Sequence, residues 1–136
     1  MATYEIATEH VEEHVMRTQT PSGHTVEMDS SPDPGGEGAT PVEMLLASAG
    51  ACSLIDVVNI LEKKQADFED LRVEITAERR GENPRRFTEI DLTYTVEGDV
   101  DDEALEQACE LSVEKYCSVL DTIRSSPDVS WQARVA

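Results

Sequence analysis

Three cysteines, Cys52, Cys109 and Cys117, are the side chains best able to do chemistry in this 136-residue chain. Only the thiolate is a good nucleophile, so the neighbours that lower a thiol's pKa decide what each can do. Cys52 lies in an apolar run with Ala49, Ala51 and Leu54, where a cysteine serves as a small core hydrophobe. Cys109 lies on the apolar stripe of an amphipathic segment and reads as structural. Cys117 differs. The run Lys115-Tyr116-Cys117-Ser118 puts it where one predicted helix gives way to another, and a helix N-terminus and an ammonium group both favour thiolate.

Other groups could contribute. His10-Val11-Glu12-Glu13-His14 has the H-x-x-E-H spacing of inverted zinc peptidases, which need one helix to present both histidines and a distant third ligand. Here the spacing falls in a segment that reads as strand and turn, so a solvated surface is expected and no metal. Arg17 is the only Lys or Arg before Lys63. It is a candidate partner for an anion or thiolate, or a surface residue among glutamates. Glu43 is a candidate active-site carboxylate, although a helix-capping role accounts for it equally. Gly35-Gly36-Glu37-Gly38 follows no predicted strand and reads as a loop, not a phosphate cradle.

The chain carries 29 acidic and 11 basic side chains, a formal charge of -18, and a pI near 4.3. A field of that sign repels phosphate backbones and anionic headgroups, so neither nucleic acid nor a membrane surface is an expected partner. The apolar segments are too well patterned for a disordered chain. The first twenty residues carry four glutamates and no apolar run, unlike a signal peptide. The uncharged stretch from Met44 to Ile55 reads as too short to span a bilayer. A cytoplasmic location is therefore expected. There a disulfide framework is not, and any cysteine pairing would be catalytic or redox-sensing.

The elements that must position these groups are legible in outline. Tyr4 and Ile6 alternate with polar neighbours, and Pro21-Ser22-Gly23 separates strands at Val15–Gln19 and Thr25–Met28. Residues 30–39 form a Pro/Gly-rich loop. Thr40-Pro41-Val42-Glu43 is a helix start, with Thr40 as N-cap, Pro41 at N1 and Glu43 closing a capping box. The helix that follows ends at Lys63-Lys64 and is apolar on nearly every side. Such a helix must be wrapped by a sheet together with a second helix or a second subunit. Val73, Ile75 and Ala77 share one face, as do Ile90, Leu92, Tyr94 and Val96; the turn Gly81-Glu82-Asn83-Pro84 makes them a hairpin. An amphipathic helix from Asp101 to about Tyr116 shows Leu105, Ala108, Cys109 and Ser112 on one stripe. A short helix from Ser118 and a last strand over Val129–Val135 complete an α+β chain with a mainly antiparallel sheet.

Two segments resemble the OsmC/Ohr superfamily, the osmotically inducible and organic hydroperoxide resistance proteins. They are Thr40-Pro41-Val42-Glu43-Met44-Leu45-Leu46 leading to Gly50-Ala51-Cys52, and Leu111-Ser112-Val113-Glu114-Lys115-Tyr116-Cys117-Ser118-Val119. Ser53-Leu54-Ile55-Asp56-Val57-Val58 and Pro84-Arg85-Arg86-Phe87-Thr88 are most similar to its OsmC-like branch. The resemblance covers residues 40–135. It implies one OsmC-like domain over 1–136, with N-terminal strands and loop over 1–39 and a two-cysteine core over 40–136. It also implies an antiparallel sheet wrapped around a buried central helix, in an intertwined homodimer.

The chemistry implied by the resemblance is a thiol-dependent peroxidase acting on organic hydroperoxides without a cofactor. Cys52 would attack the peroxide, Cys117 would resolve the sulfenic acid as a disulfide, and a dithiol such as a dihydrolipoyl group would reduce it. Cys109 matches neither motif. Peroxidase members carry a glutamate directly after the motif proline, where it holds an arginine against the thiol. This chain has Val42 there and the carboxylate one residue on, at Glu43, about 100° around a helix. Arg17 is the candidate arginine. The alternative is a redox-responsive or small-molecule-binding dimer with little peroxidase turnover.

The acidity carries a prediction of its own. A dispersed acidic surface with only Lys63, Lys64 and Lys115 as lysines suits a halophilic cytoplasm, because salt shortens the reach of self-repulsion from about 10 Å at 0.1 M to about 3 Å at 1 M. Thermal unfolding followed by circular dichroism is expected to shift to lower temperature as KCl is lowered through that range; a midpoint that stays constant would exclude a salt requirement.

Overall fold

The computed structural model describes residues 1–31 and 36–136, so part of the expected 30–39 loop, including Gly35, lies outside the described residues. Two compact units divide the chain, Met1–Leu46 and Ala47–Ala136. The first holds strands β1 (Ala7–Glu12), β2 (Val15–Gln19) and β3 (Thr25–Asp29) and the start of helix α1 (Pro41–Lys63). The second holds the rest of α1, then β4 (Asp67–Arg79), β5 (Phe87–Asp99), α2 (Asp102–Leu111), a π-helical turn (Ser112–Tyr116) and α3 (Ser118–Arg124).

In the first unit the strands run β1-β2-β3, all antiparallel. Tyr4 and Ile6 precede β1 and are exposed, so the first strand begins later than their alternation suggested. His10 lies on β1 with its Nε2 3.0 Å from the Glu13 carbonyl, and Glu13 turns the chain at φ 42°. His14 therefore sits in a turn, and the helix a zinc motif requires is not formed. Asp29 is buried and gathers Ser31 N and Oγ at 2.9 and 2.5 Å and Glu37 N at 3.1 Å; the Ser31 hydroxyl bond leads in holding its carboxyl below the usual range. The capping box at the start of α1 is reciprocal. Thr40 N donates to Glu43 Oε1 at 2.8 Å and Glu43 N donates to Thr40 Oγ1 at 3.2 Å.

In the second unit β4 and β5 pair antiparallel, matching Leu71 with Val96, Val73 with Tyr94, Ile75 with Leu92 and Ala77 with Ile90. One pleat face is thus apolar, as the period-two pattern requires. Ala49, Gly50, Ser53, Val57 and Leu61 form the buried stripe of α1. Gly50 is where the helix comes closest to the sheet: a Cβ there would meet Ile75 Cδ1 at 2.5 Å and Val73 Cγ1 at 3.3 Å. Farther along, Val57 and Leu61 pack with Ala108 of α2, flanked by Leu105 and Cys109 from the predicted stripe.

At 23 residues α1 is long and apolar enough to cross a membrane by length and composition. The sequence expectation that this segment is too short is therefore corrected. The Met44–Ile55 stretch is continued by Val57, Val58, Ile60 and Leu61, and the helix accommodates Asp56 among them. Its fully buried stripe and its hydrogen-bonded Ser53 and Asp56 nevertheless suit a protein interior. Within this unit the opposite face of α1 is uncovered, with Ile55 61% exposed.

Two further expectations change. The amphipathic helix predicted to run to Tyr116 stops at Leu111 and widens into the π-turn, because Cys117 N bonds to Ser112 O, five residues back, at 2.8 Å. The strand predicted over Val129–Val135 is not formed, and Val129 and Trp131 are each 86% exposed. A strand needs a neighbour for its N–H and C=O groups, and this segment has none among the described residues. The α+β class with antiparallel sheets stands.

The hairpin depends on one backbone position. Gly98, opposite Phe68, has φ +140°, and a Cβ there would lie 2.5 Å from Phe68 Cα and 2.6 Å from Asp67 O. Gly98→Ala is expected to lower stability by about 2 kcal/mol or more in denaturant unfolding, since the backbone it meets must shift; a change within experimental error would show that the backbone around Phe68 yields freely.

Candidate active site

Cys52 sits one residue before buried Ser53 on α1, and Cys117 sits between the π-turn and α3. Cys117 is 2% exposed and forms a core cluster with Ala49 and Leu120; Cys52, Leu92, Val113, Val119 and Ile123 pack against it. Cys52 and Cys117, from different elements, thus belong to one apolar cluster. All three cysteines are free thiols.

Cys117 is the N-cap of α3, with its Sγ accepting from Leu120 N at 3.5 Å. That bond favours thiolate, as the sequence suggested. Burial nevertheless dominates and pushes the Cys117 thiol above its ordinary value, with the neighbouring Cys52 adding to the rise. Lys115 offers no relief, since its Nζ lies over the Tyr116 ring, 5.3 Å from the centroid. Burial thus works against the activation that the helix end favours at Cys117. Cys109 lies in the other cluster, beside Val57, Leu61 and Ala108, where burial pushes it from 9.0 to about 11.

A buried hydroxyl network, missed in the sequence, joins the two cysteine-bearing segments. Tyr94 Oη donates to Ser53 Oγ at 2.7 Å, and Ser53 Oγ donates to Gly50 O at 3.1 Å. Ser112 Oγ lies 2.8 Å from Ser53 O and 3.0 Å from Asp56 Oδ2. Ser112 O in turn receives Cys117 N. One residue thus fixes the start of the π-turn to α1 and positions Cys117. The available signal was Ser112 on the apolar stripe of an amphipathic helix, since a buried hydroxyl must find a partner.

A mainly apolar cleft of about 370 Å³ opens beside the thiol cluster, lined by Phe87, Ile90, Leu92, Val113, Leu120 and Ile123 together with the polar Thr88, Glu89 and Arg124. Four of these, Leu92, Val113, Leu120 and Ile123, also belong to the core around Cys117. Arg124 is held by Val113 O at 2.8 Å and by Glu114 at 3.6 Å. The other two predicted site residues belong to the first unit. Arg17 pairs with its cross-strand neighbour Glu27 at 3.4 Å, and the Glu43 carboxylate is engaged by Thr40 N.

Residues 34–132 match the family described as OsmC-like protein. The chain belongs to the OsmC family. It is 48% identical to Protein YhfA of Escherichia coli K12 over 102 residues, covering 74% of this chain and 75% of YhfA. Among solved structures, a hypothetical protein from Aquifex aeolicus superposes with TM-score 0.81 at 36% identity, covering 91% of this chain and 89% of that one. An organic hydroperoxide resistance protein OsmC from Legionella pneumophila superposes with TM-score 0.66 at 16% identity, covering 91% and 90%, and so shares the fold. The OsmC-like fold is thus established.

The fold itself sets a pH signature at Cys109. A thiol kept neutral by burial adds stability below its ordinary 9.0 and loses that contribution as pH rises toward about 11. Denaturant-unfolding stability is expected to fall across that interval in the native protein and less steeply in Cys109→Ala; parallel profiles would show that Cys109 does not contribute to the fall.

Proposed function

We propose that this OsmC-family chain is a thiol-dependent peroxidase that reduces organic hydroperoxides. The observation that carries the reading is the packing of Cys52 against the buried cluster that holds Cys117. Cys52 as thiolate attacks the distal oxygen of R–O–O–H, the O–O bond breaks, and the alcohol leaves with a proton while Cys52 becomes a sulfenic acid. Cys117 then displaces hydroxide from that sulfur, which departs as water with the Cys117 proton, leaving a disulfide. An external dithiol, of which a dihydrolipoyl group is the expected kind, reduces the disulfide by exchange and is itself oxidised to a disulfide. The apolar cleft beside the cluster suits an alkyl or aryl peroxide better than hydrogen peroxide.

In this reading Arg17 and Glu43 supply the cation and carboxylate that tune Cys52. The working form is a homodimer in the cytoplasm, with the uncovered side of α1 around Ile55 and the exposed Val129–Val135 segment in the interface. One domain over 1–136 carries the activity, and the acidic surface adapts it to high salt.

A second reading is favoured by two observations. Val42 occupies the place after the motif proline, and the nearby Glu43 carboxylate is already engaged in the helix cap. A thiol pair without its tuning cation would make a redox-responsive dimer with little turnover.

Equimolar cumene hydroperoxide added to the reduced protein, followed within seconds by alkylation and mass spectrometry, separates the two. The peroxidase reading expects a Cys52–Cys117 disulfide with Cys109 still alkylated. Cys52→Ser is expected to abolish peroxide consumption, and Cys117→Ser to allow one turnover but not recycling. Three alkylated cysteines in the native protein, with activity gained only in Val42→Glu, would select the second reading.

A further inference from the structure

We propose that Asp56 and Ser112 are positioning residues for the cysteine pair. Their bond sets the register in which Cys117 meets Cys52 and, with it, the reduction potential of the disulfide between them. This role rests on the pairing of Cys52 with Cys117 in the reading above, not on peroxide turnover.

Three contacts show how the two cysteine-bearing segments run past each other. Ala108 of α2 packs with Val57 and Leu61, near the C-terminal end of α1. Ser112 Oγ lies 2.8 Å from Ser53 O and 3.0 Å from Asp56 Oδ2. Cys117 packs with Ala49, and Cys52 packs against the same cluster. From Ala108 to Cys117 the partner on α1 moves back from Leu61 to Ala49, so the segments are antiparallel. Cys52 and Asp56 stand four residues apart in α1, neighbours one turn apart on one face. Ser112 and Cys117 stand five apart, joined across the wide turn by the bond from Cys117 N to Ser112 O at 2.8 Å. One turn of each segment therefore leads from the Asp56–Ser112 bond to its cysteine. A slip at that bond moves Cys117 along α1 and off Cys52.

Neither residue is one that apolar packing would select. Asp56 is the only charged side chain of α1 between Glu43 and Glu62, and it is half-buried. Ser112 is fully buried on the apolar stripe of its own segment. Apolar contacts are non-directional and permit sliding. A hydroxyl bonded to a carboxylate fixes both distance and angle, and is stronger than a bond between neutral groups. The pair thus gives an apolar interface its one charge-assisted, directional contact, placed a single turn from the sulfurs.

The full-length protein is equilibrated at constant KCl with reduced and oxidised dithiothreitol at defined ratios, quenched by alkylation and read by peptide mass spectrometry. The two thiols pass two electrons and two protons to the cyclic disulfide of oxidised dithiothreitol, which opens to the dithiol as the Cys52–Cys117 bond forms. Ser112→Ala is expected to lower the equilibrium constant for that closure about tenfold, making the potential about 30 mV less negative. Asp56 lines an open cleft, so Asp56→Ala leaves no sealed cavity; it is expected to lower the constant about fivefold. Asp56→Asn keeps an acceptor oxygen and is expected to lower it no more than about twofold. Tyr94→Phe removes the bond to Ser53 Oγ elsewhere in the network, and is expected to reduce stability without moving the potential. A purely structural role would lower the unfolding midpoints of oxidised and reduced protein alike and leave every potential in place. An unmoved potential in Ser112→Ala and Asp56→Ala, or an equal shift in Tyr94→Phe, would overturn the positioning role with the cysteine pairing intact. Failure of the native protein to form a Cys52–Cys117 disulfide at any ratio would overturn both.

Discussion

Ser112 holds the two halves of the thiol site in register. Its hydroxyl reaches the Ser53 carbonyl and Asp56 on α1, and its carbonyl takes the Cys117 amide across a five-residue turn. A side chain and a main-chain group of one fully buried residue therefore set the approach of two segments that lie far apart in sequence. Polar groups taken out of water must be paired, so the arrangement has few alternatives. Tyr94 extends the same bonding to the sheet through Ser53. The apolar residues around Cys117 then close over a geometry that hydrogen bonds have already chosen.

The environment of the cysteines sorts their roles by solvation as much as by position. Helix-end geometry at Cys117 opposes a desolvation that outweighs it, so this thiol is kept protonated. Such a group is a poor first nucleophile but suited to the second step of the proposed reaction, where the sulfur packed against its own cluster is already electrophilic. Cys109, half-buried farther along beside the same stripe of α1, has no thiol beside it in its cluster.

Much of the fold could be read in the sequence where local signals and long-range packing agree. Thr40, Pro41 and Glu43 announced the start of α1, and the cap forms as the spacing demands. The alternation of Val73, Ile75 and Ala77 against Ile90, Leu92 and Tyr94 gave the hairpin and its apolar face. What could not be read depended on partners distant in sequence. Val129–Val135 has strand composition but no neighbouring strand among the described residues, so its pattern alone could not make a strand. The π-turn was hidden because an i→i+5 bond leaves no compositional mark, and the sequence through Tyr116 remains helix-forming. At the site, the motifs located Cys52 and Cys117, while the protonation of Cys117 depended on how many atoms surround it.

The wide turn at Ser112–Tyr116 bears on how such a site can change over generations. A π-turn holds one residue more than the α-helical turn it replaces. Loss of a single residue there would let the helix wind regularly through this point, and the bond from Cys117 N to Ser112 O that closes the wide turn would be given up.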